Sequence, residues 1–199
     1  LEAVNLIKEK RDGELKGRTC ANGARQRRFI KEGEDLSSPT ASLDAIIGTL
    51  VIDAYKRRDI AIADVPGVYL HAEMPKKEKK VLLKLKVEFV DIMDDVNLVY
   101  RKHVSYEGKV KVLYVEVLRA LYGCLESALL WYELYSSTLV KMGFTSNPYN
   151  MCVTNKEIEG SQCTIVFYVH NNKISHKNSD FVMKVFNEIS ESFCKLKVR

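Results

Sequence analysis

Three features of this 199-residue sequence predict an α+β fold in which an antiparallel sheet carries helices on one face. Strand-like and helix-like segments interleave without the regular βαβ repeat of a doubly wound sheet. Two apolar runs, 151–154 and 163–169, flank a polar turn at Glu159-Gly160 and read as a hairpin. A strongly periodic helix over 127–142, with apolar side chains at 130, 131, 134, 135, 139 and 142, ends on Lys141 and Gly143 and supplies a layer to cover the sheet.

A chain of this length with 46% hydrophobic residues has material for one substantial core, divided at most into two subdomains. Its 31 basic residues against 26 acidic ones give a net charge of +5. That balance suits a phosphate-bearing partner without requiring one. Five cysteines, at 20, 124, 152, 163 and 194, contain no C-x-x-C pair and no zinc spacing with the histidines at 71, 103, 170 and 176. They read as reduced and mostly buried. No apolar stretch approaches the roughly 18 to 20 residues of a membrane span and no N-terminal signal is present, which predicts an intracellular soluble protein, cytoplasmic or nuclear.

Residues 1–37 form a basic N-terminal region. Lys8, Lys10, Arg11, Lys16, Arg18, Arg25, Arg27, Arg28 and Lys31 alternate with the turn residues Gly13, Gly17, Gly23 and Gly33, the pattern of a solvated hairpin or arm. Ser38-Pro39 predicts a helix start, after which Leu43, Ile46, Ile47, Leu50, Val51 and Ala54 make an apolar face. A strand over 60–65 follows and is ended by Pro66-Gly67, so Asp64 stands at a strand end. Strands are predicted over 81–85 and 110–118, with a helix over 88–103 between them. Asn171-Asn172 predicts a tight turn before Ile174. The last helix starts near Asp180 with Phe181, Val185, Ile189 and Phe193 on one side and Val182 and Phe186 beside them, and a strand over 194–198 closes the chain.

Four segments, in order, carry a family resemblance. They are Asp64-Val65-Pro66-Gly67-Val68-Tyr69-Leu70, then Leu121-Tyr122-Gly123-Cys124 running on to Trp131-Tyr132, then Met142-Gly143-Phe144 with Asn147-Pro148-Tyr149, and Tyr168-Val169-His170-Asn171. Together they resemble the reverse transcriptase domain of copia-type LTR retrotransposons, where these places read D-V-x-x-A-[FY]-L, L-Y-G-L-K-Q-x-x-x-x-W, G-F and Y-V-D-D. The resemblance covers residues 16–198. It implies a polymerase fingers-like region over 1–37 and a palm-like core over 38–199 that stops before the thumb and RNase H of the resembled polyprotein.

In that family, a primer hydroxyl attacks a nucleotide phosphate while two Mg²⁺ ions, held by carboxylates, stabilise the attacking and leaving oxygens. By resemblance Asp64 is one metal ligand. Its alternative is an acid that hydrogen-bonds the following turn. The two hairpin aspartates correspond to His170 and Asn171, an imidazole better suited to zinc and an uncharged amide. Asp180, the nearest acid downstream, begins the next helix. The resemblance therefore implies weak or absent Mg²⁺ binding and no polymerase activity. A zinc site from His170 and His176 is disfavoured because a turn at Asn171-Asn172 keeps the imidazoles apart.

Tyr69 matches the aromatic that lies under the nucleotide sugar, with a core tyrosine beside a turn as the alternative. Gly123 matches the glycine that allows template and nucleotide to approach closely. Glu126 stands where the family usually has Gln, and Ala128 where it often has Pro; a carboxylate there opposes phosphate binding. Trp131 and Tyr132 read as core packing, and Asn150 occupies the place of a common Asp. The implied partner is an RNA or DNA template-primer. The readings left open are a catalytically dead reverse transcriptase fragment, a nucleic-acid-binding remnant, and a relic without selected function.

Overall fold

A computed structural model describes residues 1–30, 32–76, 80–193 and 196–198. Lys31 and Cys194, both singled out above, lie outside the described residues, as does the first part of the strand expected over 194–198. The elements in chain order are β1 (Ala3–Glu9), β2 (Leu15–Ala21), α1 (Leu43–Tyr55), β3 (Asp59–Asp64), β4 (Leu82–Lys86), α2 (Glu88–Val96), β5 (Ser105–Glu107), β6 (Val110–Glu116), α3 (Ser127–Lys141), β7 (Thr145–Asn147), β8 (Asn150–Ile158), β9 (Ser161–Tyr168), β10 (Asn171–His176), α4 (Ser179–Ser192) and β11 (Lys197–Val198). The structure is mixed α and β, and every strand pairing in its sheets is antiparallel. The chain divides into two compact units, Leu1–Leu36 with Glu73–Ser127, and Ser37–Ala72 with Ala128–Arg199.

In the first unit the basic stretch forms the β1-β2 hairpin, Ala3 opposite Ala21 and Glu9 opposite Leu15, followed by a 3-10 helix Gly23–Phe29. A second sheet has the order β4-β6-β5. The helix expected over 88–103 is two pieces, because the Asn97 side chain accepts the Val99 amide at 3.0 Å and starts a separate 3-10 turn, Leu98–His103. Asparagine competes for backbone groups in this way and interrupts helices. Ala21, Leu83, Leu85, Val90, Leu113 and Cys124 form the buried core of this unit.

The second unit is built on a six-stranded sheet of order β11-β3-β10-β9-β8-β7. Helices α3 and α4 cover one face: Tyr135 meets Phe167 edge-on at 5.0 Å, and Val182, Val185, Phe186 and Ile189 of α4 are all buried. Each fully buried aliphatic side chain contributes about 1.5–3 kcal/mol by leaving water. Helix α1 reaches the opposite face, that of Lys173 and Thr164, through Asp53 and the Arg58 that follows the helix. Helices on a single face, the expectation from sequence, is thus corrected to helices on both.

Helix α1 also begins later than Ser38-Pro39 suggests. Ser42 is its cap, accepting the Ala45 amide at 3.2 Å, while the Ser38 hydroxyl turns to the Pro39 carbonyl. The aliphatic face read from sequence is mostly exposed, with Leu43 69%, Ile47 50% and Val51 61% accessible. The side turned inward runs through Ala45 and Ile46, both half-buried, and the buried Asp53. Asp53 is 1% exposed and takes Lys173 and, at 3.4 Å, Arg58. A buried carboxylate needs its cations, and that need outweighs the wish of the aliphatic stripe for cover.

Cys124, Cys152 and Cys163 are buried free thiols, and Cys20 is half-buried. Burial pushes the Cys152 and Cys163 thiols up to about 11. Since the unfolded thiol ionises near 8.5, these two groups add stability below that pH and lose it as pH rises from about 9 towards 11. We expect iodoacetamide at pH 8 to leave both unmodified in the native protein and to label both in urea, read by peptide mass spectrometry. Among the described residues no helix is long and apolar enough to cross a membrane.

Candidate active site

Asp64 is the last residue of β3, and Asn171, the first of β10, is its direct ladder partner. Directly opposed residues of an antiparallel pair lie about 5 Å apart at Cα and project to the same face. On the other side of β10, Asn171 pairs with Tyr168 of β9. The Val65 amide donates to the His170 carbonyl at 3.0 Å, which ties the chain leaving β3 to the tip of the β9-β10 hairpin. The structure therefore brings together three of the residues chosen from sequence: Asp64, His170 and Asn171.

The turn itself departs from expectation. It is Val169-His170, not Asn171-Asn172, and Asn171 and Asn172 are the first rungs of β10. Three contacts outweigh the turn preference of asparagine. Asn172 is 1% exposed and its Nδ2 donates to the His170 carbonyl at 3.2 Å. The Trp131 Nε1–H donates to the Val169 carbonyl at 2.7 Å. Pairing on both edges of β10 fixes its register with β3 and β9. Val169 consequently holds φ +53°, left-handed backbone that a β-branched residue rarely adopts. A positive φ at the first central residue is the hairpin geometry that usually selects glycine. His170 and His176 are separated by the length of β10, so they do not share a metal.

Trp131, which reads from sequence as core packing, also clamps the turn. Trp131 is 2% exposed and stacks on Tyr135 at 5.2 Å, with His71 at 6.1 Å and Phe193 at 5.1 Å. The His71 Nε2–H donates to the Pro66 carbonyl at 3.1 Å. No spacing rule links a tryptophan in α3 to the hairpin tip, so this clamp carries no signal in the sequence. Asn150, for which the sequence suggested no role, accepts the Cys152 amide at 3.1 Å and reaches the α1 cap Ser42 at 3.3 Å.

Tyr69 sits in a short 3-10 helix, Val68–His71, and packs half-buried against the core of the second unit. Gly123 lies in the first unit at φ +90°, where an added Cβ would stand 1.9 Å from the Ala21 carbonyl oxygen. The Ala21 amide in turn donates to the Tyr122 carbonyl at 2.7 Å. The missing side chain at 123 thus permits two backbone segments of this unit to touch. Gly123→Ala should cost about 1–2 kcal/mol in backbone strain and about 1–3 kcal/mol in crowding, measured by urea unfolding. Glu126 is buried, 7% exposed.

The donors at the hairpin comprise one carboxylate, one amide oxygen and one imidazole. Mg²⁺ is a hard cation that favours charged oxygens, so this set does not fit a two-metal centre. Among the described residues no group of three or more His, Cys, Asp or Glu could hold a metal ion. No protein-family model matches the chain, and no curated protein is significantly similar to it.

Proposed function

We propose that the chain is a copia-type reverse transcriptase-like domain that keeps the palm scaffold and has lost nucleotidyl transfer. The observation that carries this reading is the placement of Asp64 beside the tip of the β9-β10 hairpin, with Asn171 as its ladder partner. An acid at a strand end next to a hairpin tip is the relation that the resembled family's three carboxylates need. Here two of the three positions hold His170 and Asn171. The metal pair lacks two negative charges, and template-directed synthesis on an RNA or DNA template-primer fails for that reason. Primer extension with the native chain and with the H170D/N171D variant tests the reading.

A second reading, a nucleic-acid-binding remnant, is favoured by the surface of the first unit. Lys8, Arg11, Lys16, Arg18, Arg25, Arg27 and Arg28 are all exposed, and residues 1–30 hold eight basic against four acidic side chains. Such a surface binds phosphate backbones through counterion release. Filter binding to single-stranded RNA should weaken as a power of salt concentration, and replacing Arg25, Arg27 and Arg28 by Gln should flatten the slope by about 2, near 0.7 per lost contact. Binding that ignores salt would remove this reading.

A further inference from the structure

At the end of the second unit's sheet away from Asp64, an open cleft of about 510 Å³ lies between the C-terminal end of α1 and the turn joining β8 to β9. Its charged lining is one-sided: Lys56, Arg57, Arg58 and Lys177 against the single acid Glu157. Lys56, Arg57 and Lys177 are exposed, and none takes an ion pair among the described residues. Arg58 differs from them, since its side chain is only 3% exposed.

Arg58 is also under-neutralised. Its Nη1 donates to Asp53 at 3.4 Å and to the Thr164 hydroxyl at 3.2 Å, but Asp53 is shared with Lys173. Two buried cations therefore lean on one carboxylate. The Nε–H of Arg58 is buried with no hydrogen-bond partner among the described residues. Buried guanidinium groups are ordinarily fully paired, and an unpaired donor of this kind costs about 1–3 kcal/mol. The charge left over behind the cleft has the same sign as the charge around it.

We propose that this cleft binds a phosphate group, carried by a small phosphate ester. The guanidinium of Arg57 offers a planar fork suited to two phosphate oxygens, and Lys56 and Lys177 supply mobile point charges on either side. The Gln162 side chain lines the same cleft and, because its amide donates to Asn155 at 2.5 Å, it is held in place. A cleft of this volume accommodates more than a bare ion, within the usual range of about 300–1,000 Å³ for small-molecule sites. Glu157 stands at the lining as a counter-charge and disfavours acids that do not engage all the cations. The cleft shares no lining residue with Asp64 or the hairpin tip.

The test is calorimetric titration of the full chain at low ionic strength with inorganic phosphate, glucose 6-phosphate and glucose. We expect saturable one-site binding of glucose 6-phosphate, none of glucose, and a loss of roughly tenfold or more in affinity in the R57Q/K177Q variant. Both substituted residues are exposed, so the unliganded melting temperature should not move. Lys56→Gln alone should give a smaller loss in the same direction. Tighter binding of the ester than of inorganic phosphate supports the proposal as stated; equal affinities would reassign the site to free phosphate and overturn the ester. No saturable binding of either phosphate, or binding that R57Q/K177Q leaves unchanged, overturns the site altogether.

Discussion

The H170D/N171D variant is expected to bind Mn²⁺ far more tightly than the native chain and to gain metal-dependent nucleotide addition, while the native chain extends no primer. Residue 171 faces Asp64 across one ladder step and residue 170 is its chain neighbour in the turn, so the variant places three carboxylates at the same end of the sheet. Two unit charges 4 Å apart interact by about 4 kcal/mol at an effective dielectric near 20, and a dication roughly doubles this. At about 1.4 kcal/mol per tenfold, each missing carboxylate accounts for several decades of metal affinity or rate. Mn²⁺ affinity separates the charge deficit from other defects, because it needs neither template nor nucleotide. Extension by the native chain that Asp64→Asn abolishes would refute the proposed loss of catalysis. An unchanged Mn²⁺ affinity in the double variant would show that the two positions do not complete a site with Asp64.

Asp53→Ala is expected to cost about 3–5 kcal/mol of stability. Asp53 is 1% exposed and its partners Arg58 and Lys173 are 3% and 11% exposed at the side chain. Removing the carboxylate leaves two cations in the interior with no anion. The magnitude exceeds that of an ordinary surface pair, at about 0–1 kcal/mol, because water cannot screen the charges left behind. Urea unfolding measures the loss directly. A change below about 1 kcal/mol would mean that the network opens to water when perturbed. By the same physics the triple change D53L/R58L/K173M should be nearly neutral, since it removes all three charges together.

How legible the fold was depended on whether local chemistry or tertiary pairing decided each element. Helices α3 and α4 could be read from their apolar spacing, and the β8-β9 turn from Glu159-Gly160, because in each the local preference agrees with the packing. The start and the buried side of α1 could not. Ser38-Pro39 and Ser42 both make acceptable caps, and an aliphatic stripe conceals that Asp53, on another side, has cations waiting on β10 and beyond the helix end. The hairpin tip failed for a similar reason. Asn171-Asn172 has the better turn residues, but the indole of Trp131, from far away in sequence, holds Val169 in place. Of the candidate site, the proximity of Asp64 to residues 170 and 171 came from motif order alone; no rule of spacing contains it. For Gly123 the motif suggests a ligand's approach; the space that a side chain there would take is filled by the carbonyl of Ala21, a contact that spacing does not contain.

The left-handed valine at the hairpin tip has a bearing on how this chain can change. Its conformation is imposed from outside, by an indole donor and two flanking strands, so the shape of the tip owes little to the identity of residues 170 and 171. Substitutions at those two places are therefore expected to alter what the tip offers to an ion while the backbone that presents them stays put. Such a tip tolerates drift when selection relaxes, and it equally gives a designer two adjoining, rewritable positions on a rigid mount.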